Sequence, residues 1–472
     1  MVAILSAAFV LGVRSLKAGT VAAGLVWAML AGSVSPATAD DPGEAWAKLD
    51  AVLASIAEPE IPQRDFAIAE HGAQPTTSPA QDDVTGPDSR DAIQAAIEAC
   101  HAAGGGRVVV PAGRWFVKGP LRLRSKVDLH LQKDAVLLFS NDPNDFLPVV
   151  LTRFEGVEVR NFSPPIYAYD EHDVALTGEG AIDGRASDKN WWKWKGSGND
   201  DVARLNAMSD AGKPPEERVF GAEGKLRVNF VQPYRCRNVL IEGITILRSP
   251  MWVMNPVLCE NVTVRNVTVV SHGPNNDGCN PESCRNVLIE GCLFDTGDDC
   301  IAIKSGRNAD GRRINVPSEN ICVRNCRMKD GHGGVTLGSE MSGGIRNVWV
   351  ENCEMDSPQL DRAIRLKSNL ARGGYLQNMY VRNVRVGQVA DAVVHIDLRY
   401  FRETGNHPPV VSNIHIENVT AEKSKRPLYL MGTPESPITG VTIANCRFAG
   451  AAKPSILEDV VSLHLLNYSQ PE

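Results

Sequence analysis

A short motif centred on asparagine recurs along the second half of this chain and limits the folds that it can adopt. Residues 237–244 read RNVLIEGI, and the pattern returns at 260–267 as ENVTVRNV and at 285–292 as RNVLIEGC. The asparagines that mark successive copies are Asn238, Asn261, Asn286, Asn320, Asn347, Asn378 and Asn413. They are separated by 23, 25, 34, 27, 31 and 35 residues, which is typical of coils that carry loops of variable size.

Each copy alternates β-branched residues, bends at Asn or Gly, and then begins a second short strand. The repeats contain no helix long enough for a parallel crossover, and the leucine spacing of leucine-rich repeats is missing. The pattern therefore predicts an all-β protein folded as a right-handed parallel β-helix. We expect the recurrent asparagines to stack at the bends and to satisfy backbone groups there.

The N-terminal part of the chain divides into three segments. Residues 1–39 resemble an export signal, with Arg14 and Lys17 before an apolar stretch and Ala-Thr-Ala directly before Asp40. The apolar stretch, 18–32, is shorter than the roughly 20 residues that a membrane span needs. We expect cleavage before Asp40 and export to the periplasm or the medium, with no membrane association of the mature chain.

A linker and a capping helix are expected before the repeats. Residues 40–64 contain one weak helical stretch, 45–57, and we interpret them as a linker. A helix from Arg90 to Ala103, capped by 88–91, has an apolar face that suits a cover for the open end of a solenoid. The catalytic β-helix domain is then expected over residues 65–470.

Composition excludes several classes of partner. A net charge of −7 argues against a nucleic-acid partner, and no CxxC pair with zinc spacing is present, so no metal and no cofactor are predicted. The chain has 11 cysteines, and four of them recur at one repeat position: Cys292, Cys326, Cys353 and Cys446. We expect a largely reduced internal ladder of thiols, in a protein that is a monomer.

One long segment, 185–228, interrupts the repeats and contains Trp191, Trp192 and Trp194. A loop folded over the surface is expected here. The tryptophans either stack on a sugar ring or anchor the loop to the body, and the sequence favours neither.

Two acidic clusters fall at the same part of successive coils. Counted from the repeat asparagine of its own coil, Asp277 lies 16 residues on, Asp298 and Asp299 lie 12 and 13, His332 lies 12, and Arg365 lies 18. Coils stack at about 4.8 Å, so these side chains should line one face that forms a groove for a polymer. Asp298 and Asp299 are adjacent, and both reach the groove only if the backbone bends, which Gly297 permits.

Paired carboxylates on one face are suited to glycosidic hydrolysis, in which one carboxyl donates a proton and another acts on water. A turn is the commonest reading of either acidic cluster alone, and calcium is a further possibility because clustered Asp residues are hard-oxygen ligands. His332 between glycines, together with Arg365 and Lys367 in the same register, favours catalysis.

Four motifs in this order, 275–277, 297–299, 331–333 and 365–367, resemble the polygalacturonase signature of glycoside hydrolase family 28. That signature reads N-T-D, D-D, G-H-G and R-I-K, so this chain departs from it at Asn276 and Leu366. The resemblance covers roughly residues 65–470. It implies a right-handed parallel β-helix that hydrolyses α-1,4-linked galacturonic acid in pectin with inversion.

The resemblance also implies roles. Asp298 would be the general acid, Asp277 and Asp299 would hold and activate water, and His332 would tune the acid. Substrate contacts are expected from Asn275, Lys304, Arg365, Lys367 and Tyr400. Inversion is expected to need carboxyls about 6.5 to 9.5 Å apart.

Segments 141–143, 154–156, 249–252 and 304–306 resemble bacterial exo-acting members, in which insertions such as 185–228 close one end of the groove.

The alternatives to hydrolysis of polygalacturonate are hydrolysis of a rhamnogalacturonan or xylogalacturonan backbone, a calcium-dependent pectate lyase, and a non-catalytic polysaccharide-binding solenoid.

Overall fold

The computed structural model describes residues 42–78 and 84–470. The predicted export signal and the cleavage point before Asp40 lie outside the described residues. Within the described part, no helix is long and apolar enough to cross a membrane.

Short strands make up most of the chain. The first third contains β1 Asp65–Ala67, β2 Gly106–Val110, β3 Gly113–Val117, β4 Leu121–Arg122, β5 Val127–Leu131, β6 Ala135–Phe139, β7 Val150–Phe154, β8 Val157–Asn161, β9 Ile166–Tyr169, β10 His172–Gly178 and β11 Ala181–Asp183. The middle contains β12 Val231–Tyr234, β13 Arg237–Glu242, β14 Thr245–Leu247, β15 Glu260–Arg265, β16 Thr268–Ser271, β17 Arg285–Glu290, β18 Leu293–Thr296, β19 Ile301–Ile303, β20 Ser318–Arg324, β21 Arg327–Met328, β22 Val335–Gly338 and β23 Ile345–Glu351. The last part contains β24 Glu354–Met355, β25 Arg362–Lys367, β26 Tyr375–Arg382, β27 Arg385–Gln388, β28 Ala392–Asp397, β29 Val410–Glu417, β30 Thr420–Lys423, β31 Arg426–Met431, β32 Ile438–Ala444, β33 Arg447–Phe448, β34 Ile456–Glu458 and β35 Val460–Leu466.

Helical segments are few and short among the described residues. The α-helices are α1 Pro42–Ser55, α2 Arg90–Ala102, α3 Trp194–Ser197, α4 Asn199–Asp210 and α5 Asn308–Ile314. Single turns of 3₁₀ helix lie at Ile68–His71, Pro143–Phe146, Trp191–Lys193, Pro215–Glu217, Gly221–Glu223 and Tyr400–Arg402.

The strands form three long parallel walls. Sheet A has 13 strands in the order β1-β2-β5-β10-β13-β15-β17-β20-β23-β26-β29-β32-β35, and sheet B has 11 in the order β3-β6-β11-β14-β16-β18-β21-β24-β27-β30-β33. Sheet C consists of β12-β9-β4 and β19-β22-β25-β28-β31-β34, joined through single bridges at Met254 and Cys279. Most coils contribute one strand to each wall, and the apolar side chains fill the interior. This is the predicted parallel β-helix.

The recurrent asparagines form a continuous ladder along sheet A. Each has a left-handed backbone conformation, with φ between 53° and 58°, which Asn tolerates better than most residues. The side-chain amide of each donates to the carbonyl oxygen of the asparagine one coil earlier, at 2.7 to 3.2 Å from Asn261 through Asn413. The predicted stacking is confirmed, but these bonds join the side chains to one another along the axis and not to the backbone groups that were expected to be their partners.

Helix α2 covers the first coil, as predicted. Its N-terminus begins at Arg90, where the carboxylate of Asp88 accepts from the Arg90 amide at 2.9 Å. The helix buries Ile93, Ile97 and Cys100 against the core. The open end of the sheet stack is thereby shielded from water.

Helix α1 changes the interpretation of residues 40–64 as a linker. Its apolar face packs on the outside of sheet A, where Ala45 and Leu49 contact Trp349 and Tyr380. The indole N–H of Trp349 donates to the Ala45 carbonyl at 3.1 Å. The segment is attached to the wall because apolar residues on both sides are removed from water together.

The segment 185–228 folds over the body as a set of short helices. Trp191 is fully buried and packs edge-on against Phe146, Phe162 and Trp194. The indole of Trp192 donates to the Ser249 carbonyl at 2.9 Å. These contacts make the tryptophans anchors of the insertion.

All 11 cysteines are buried and unpaired. Cys292 and Cys326 interact through their thiols on successive coils, as do Cys326 and Cys353. Burial raises the pKa of Cys279 and Cys300, so these thiols stay protonated. The reduced ladder expected from the repeat position is present.

Candidate active site

The two acidic clusters lie in the segments that connect sheet B to sheet C in consecutive coils. Asp277 lies between β16 and the bridge at Cys279, and Asp298 and Asp299 lie between β18 and β19. The amide of Gly278 donates to the Asp299 carbonyl at 3.0 Å, so the two segments are stacked in register. Coil counting from the asparagines is therefore confirmed for these carboxylates.

The three carboxylates are closer together than expected. One oxygen from each of Asp277, Asp298 and Asp299 lies within 4.8 Å of the others, whereas the expected separation for inversion is about 6.5 to 9.5 Å. Adjacent coils stack at about 4.8 Å, and this stacking sets the distance. A water that donates to two oxygens at about 2.8 Å each bridges about 4.6 Å, so the gap accommodates one water.

Asp299 is the fully buried member and is held by two cations. Its oxygens accept from Arg365 Nη1 at 3.0 Å, from Lys367 Nζ at 2.6 Å and from Thr336 Oγ1 at 2.9 Å. Burial opposes its ionisation, but the charges of Lys367 and Arg365 outweigh this and keep the pKa of Asp299 well below its usual range. Asp299 is thus an ionised acceptor at any physiological pH.

Asp298 is the most accessible of the three, with 16% of its side chain exposed against 3% for Asp277. His332 Nδ1 lies 3.0 Å from its Oδ1. Burial raises the pKa of Asp298, but the His332 hydrogen bond together with the charges of Lys367 and His332 outweighs this, so the net shift is downward. The same hydrogen bond raises the pKa of His332.

Asp277 holds a proton to higher pH than its neighbours. Burial and the charge of Asp298 raise the pKa of Asp277 to about 7, although Lys304 acts in the opposite direction. The pKa order therefore favours a proton on Asp277, whereas the roles implied by the resemblance place it on Asp298. The two carboxyls titrate as a pair across less than 4.8 Å.

The predicted substrate-contacting residues all line one cavity of about 530 Å³. Lys304 is 3% exposed, and its Nζ lies 3.0 Å from Glu340 Oε2 and 3.5 Å from Asp277 Oδ2. The Asn275 side chain accepts from Arg227 at 2.7 Å. Lys304 thus faces the cavity and also compensates the negative charge of the buried carboxylates beside it.

The Tyr400 ring lies beside the two cations that hold Asp299. Arg365 Cζ is 5.6 Å from its centroid and Lys367 Nζ is 5.2 Å from it. The neighbouring Phe401 also lines the cavity and is 72% exposed. An aromatic face and two cationic groups are thus brought together at the C-terminal side of the carboxylates.

The two departures from the family signature have local explanations. Asn276 is buried, and its side chain accepts from Ser271 Oγ at 2.6 Å and from the Gly273 amide at 3.0 Å while donating to Met251 O. Leu366 points into the core with no exposed surface. Neither position faces the cavity, so both leave the ionisable groups in place.

The donor set does not suit a divalent cation. The three carboxylate oxygens could approach a metal ion, but Asp299 is already neutralised by Arg365 and Lys367, and Lys304 lies beside Asp277. A cation placed there would be repelled by three positive side chains. This arrangement favours acid–base catalysis by the carboxylates over metal binding.

A family model described as Glycosyl hydrolases family 28 matches residues 215–464. A probable polygalacturonase from Vitis vinifera is 31% identical over 369 residues, which cover 74% of this chain and 68% of that protein. The chain belongs to glycosyl hydrolase family 28.

Further relatives of this family 28 enzyme include exo-acting proteins. The crystal structure of a hyperthermoactive exopolygalacturonase from Thermotoga maritima is 42% identical and superposes with a TM-score of 0.86, covering 90% of this chain and 96% of that one. An exo-poly-alpha-D-galacturonosidase from Dickeya chrysanthemi is 28% identical over 368 residues, 71% of this chain and 59% of that protein.

One side of the family 28 cavity is closed by groups that the motifs did not reveal. Arg307 binds Glu155 at 2.9 Å and approaches Glu403 at 3.8 Å, and Glu403 also binds Arg372 at 2.8 Å. These residues come from the turn of the β7–β8 hairpin, from the residue before α5, from the loop between β25 and β26 and from the segment after β28. Glu155 lies in a segment noted for its resemblance to exo-acting members, but the cationic residues had no sequence signal.

Proposed function

We propose that this family 28 enzyme hydrolyses α-1,4-linked galacturonic acid in polygalacturonate and releases sugar from chain ends. The supporting observation is the group of three carboxylates, spaced to hold one water, at the base of a cavity that also presents Arg365 and Lys367. Guanidinium and ammonium groups suit the carboxylate of a uronic acid.

In the proposed reaction Asp298 donates a proton to the leaving glycosidic oxygen because it is the most exposed carboxyl. Asp277 and Asp299 orient a water that attacks the anomeric carbon, and Asp277 accepts its proton. The reactive state thus requires the shared proton to move from Asp277 to Asp298, with His332 stabilising the pair. Inversion is part of the proposal: the carboxyls lie closer than the about 6.5 to 9.5 Å usual for inverting enzymes, but the gap still accommodates one water.

Exo action is supported by the ion pairs of Arg307 and Arg372, which close one side of the cavity, and by the names of the relatives above. Export of the enzyme, which would bring it to a polymeric substrate, is supported by the composition of residues 1–39.

Product analysis tests the reaction. We expect polygalacturonate to yield mainly monomer or dimer from the first minutes, without a double bond, in the presence of EDTA. NMR of the first-formed product should show the anomer opposite to that of the bond cleaved. An early ladder of oligomers would contradict exo action, an unsaturated product would indicate a lyase, and cleavage of rhamnogalacturonan or xylogalacturonan alone would reassign the backbone.

The pH dependence follows from the raised pKa of Asp277. Below about 7 the Asp277–Asp298 pair keeps one proton, and above it the pair loses the proton that the reaction needs. We expect kcat/KM on trigalacturonate to be retained below this pH and to fall as the pH rises through about 7. A kcat/KM that stays level well above this pH would contradict the shared-proton arrangement.

A further inference from the structure

A second cavity, of about 650 Å³, lies on the outer face of sheet C in its first coils. It shares no lining residue with the catalytic cavity. The β7–β8 hairpin contributes to both, since its turn residue Glu155 lines the catalytic cavity while Val150, Leu151 and Arg160 at its base line the second one.

The floor of this second cavity is aromatic. Tyr167 and Tyr169 point outward from β9, with ring centroids 6.3 Å apart and stacked, and Tyr234 on β12 lies 5.7 Å from Tyr169. Tyr167 and Tyr234 are covered by the hairpin, and Tyr167 is fixed by donating to the Leu151 carbonyl at 2.6 Å. Only Tyr169 presents a free face, with 39% of its surface exposed.

Two arginines flank this aromatic floor without a partner. Arg122 on β4 lies directly opposite Tyr167 in the strand register, and Arg160 lies on β8. Within the part of the chain that the structure describes, neither guanidinium makes an ion pair or a side-chain hydrogen bond. Both arginines line the same cavity as Tyr167. Burial raises the pKa of Tyr167, and the charges of both arginines act against this.

The other charges in this cavity are largely compensated. Arg124 binds Glu98 at 2.7 Å and Glu171 at 3.0 Å, and Glu171 also accepts from the Ser125 amide. Glu216 is the remaining acid at the rim. Two cations therefore outnumber one acid beside an exposed aromatic ring, in a protein whose net charge is −7.

We propose that this cavity is a second, non-catalytic binding site for uronic acid residues of the polymeric substrate. Arg122 and Arg160 would bind the sugar carboxylates, and the face of Tyr169 would stack on the apolar face of a sugar ring. The site keeps the enzyme on the polymer between cleavages. This inference rests on the proposed function for its choice of ligand.

The test separates binding at this cavity from binding at the catalytic one. The Arg122→Gln/Arg160→Gln variant and the separate Tyr169→Ala variant are compared with wild type on trigalacturonate and on polygalacturonate. We expect unchanged kcat/KM on the trimer and a KM about 10-fold higher on the polymer. In the Asp298→Asn background, electrophoresis through gels containing polygalacturonate should show correspondingly weaker retardation for both variants.

The matched control is Arg237→Gln/Arg447→Gln, which removes two exposed arginines from other walls and changes the net charge equally. It should leave retardation and KM unchanged. Retardation and polymer KM equal to wild type in both test variants would overturn the second site, as would an equal loss in the control. Absence of trimer hydrolysis by wild type would refute the proposed function instead, while the gel assay would still report on the second cavity.

Discussion

Replacing Asp298 by asparagine is expected to remove nearly all turnover on polygalacturonate while leaving the fold intact. Asp298 is the carboxyl that faces the cavity and bonds His332, and loss of a positioned general acid lowers the rate by roughly 10²–10⁴-fold. Asparagine keeps the shape of the side chain, so the melting temperature and circular dichroism should match the wild type.

Asp134→Asn provides the matched control. Asp134 lies in an exposed turn with φ of 64°, a conformation that asparagine accepts, so the same chemical change is made away from the cavity. Near-normal rates in Asp298→Asn, or an equal loss in Asp134→Asn, would contradict the assignment of the acid.

Replacing Lys304 by methionine is expected to lower the free energy of unfolding by about 3–5 kcal/mol at neutral pH. Lys304 is buried between Glu340 and Asp277, and its removal leaves the Glu340 carboxylate, and Asp277 whenever it is ionised, without this cation. Those carboxyls would then have raised pKa values in the folded state, so the loss should shrink as the pH falls. Chemical denaturation at several pH values measures both effects.

A double substitution separates this electrostatic cause from simple misfit of the new side chain. Lys304→Met/Glu340→Gln removes one of the stranded charges, so it should be more stable than Lys304→Met alone. Lys133→Met, on the exposed surface, should change the free energy of unfolding by less than about 0.5 kcal/mol. A loss below about 1 kcal/mol in Lys304→Met would show that the buried carboxylates do not depend on this cation.

The repeat made the solenoid predictable because one asparagine recurs at one place in every coil. From that register the positions of Asp277 and Asp299 on neighbouring coils followed by counting. Their protonation states did not follow, because these depend on side chains far away in the chain, such as Lys367, which lies 68 residues from Asp299. Counting along a coil gives the position of a residue on the surface of the solenoid. It does not identify the side chains that contact that residue.

The loops were the least predictable part. Arg307 and Glu403 approach each other from two segments between strands. Tertiary contacts set the conformations of these segments, so no periodic sequence pattern predicts the contact. The β7–β8 hairpin is antiparallel in an otherwise parallel fold, and its residues showed no hairpin turn signal. Helix α1 had a weak pattern because only one stripe of it meets the wall.

Because helix α1 packs on the outside of sheet A, it can dock only after that part of the sheet has folded. Residues 42–55 are synthesised well before the surface on which they dock, because that surface includes Trp349 and Tyr380, about 300 residues further along the chain. We therefore expect helix α1 to dock on sheet A late in folding, after the coils that form its docking surface have folded. A helix that precedes the coils in the sequence thus packs against the middle of the finished solenoid.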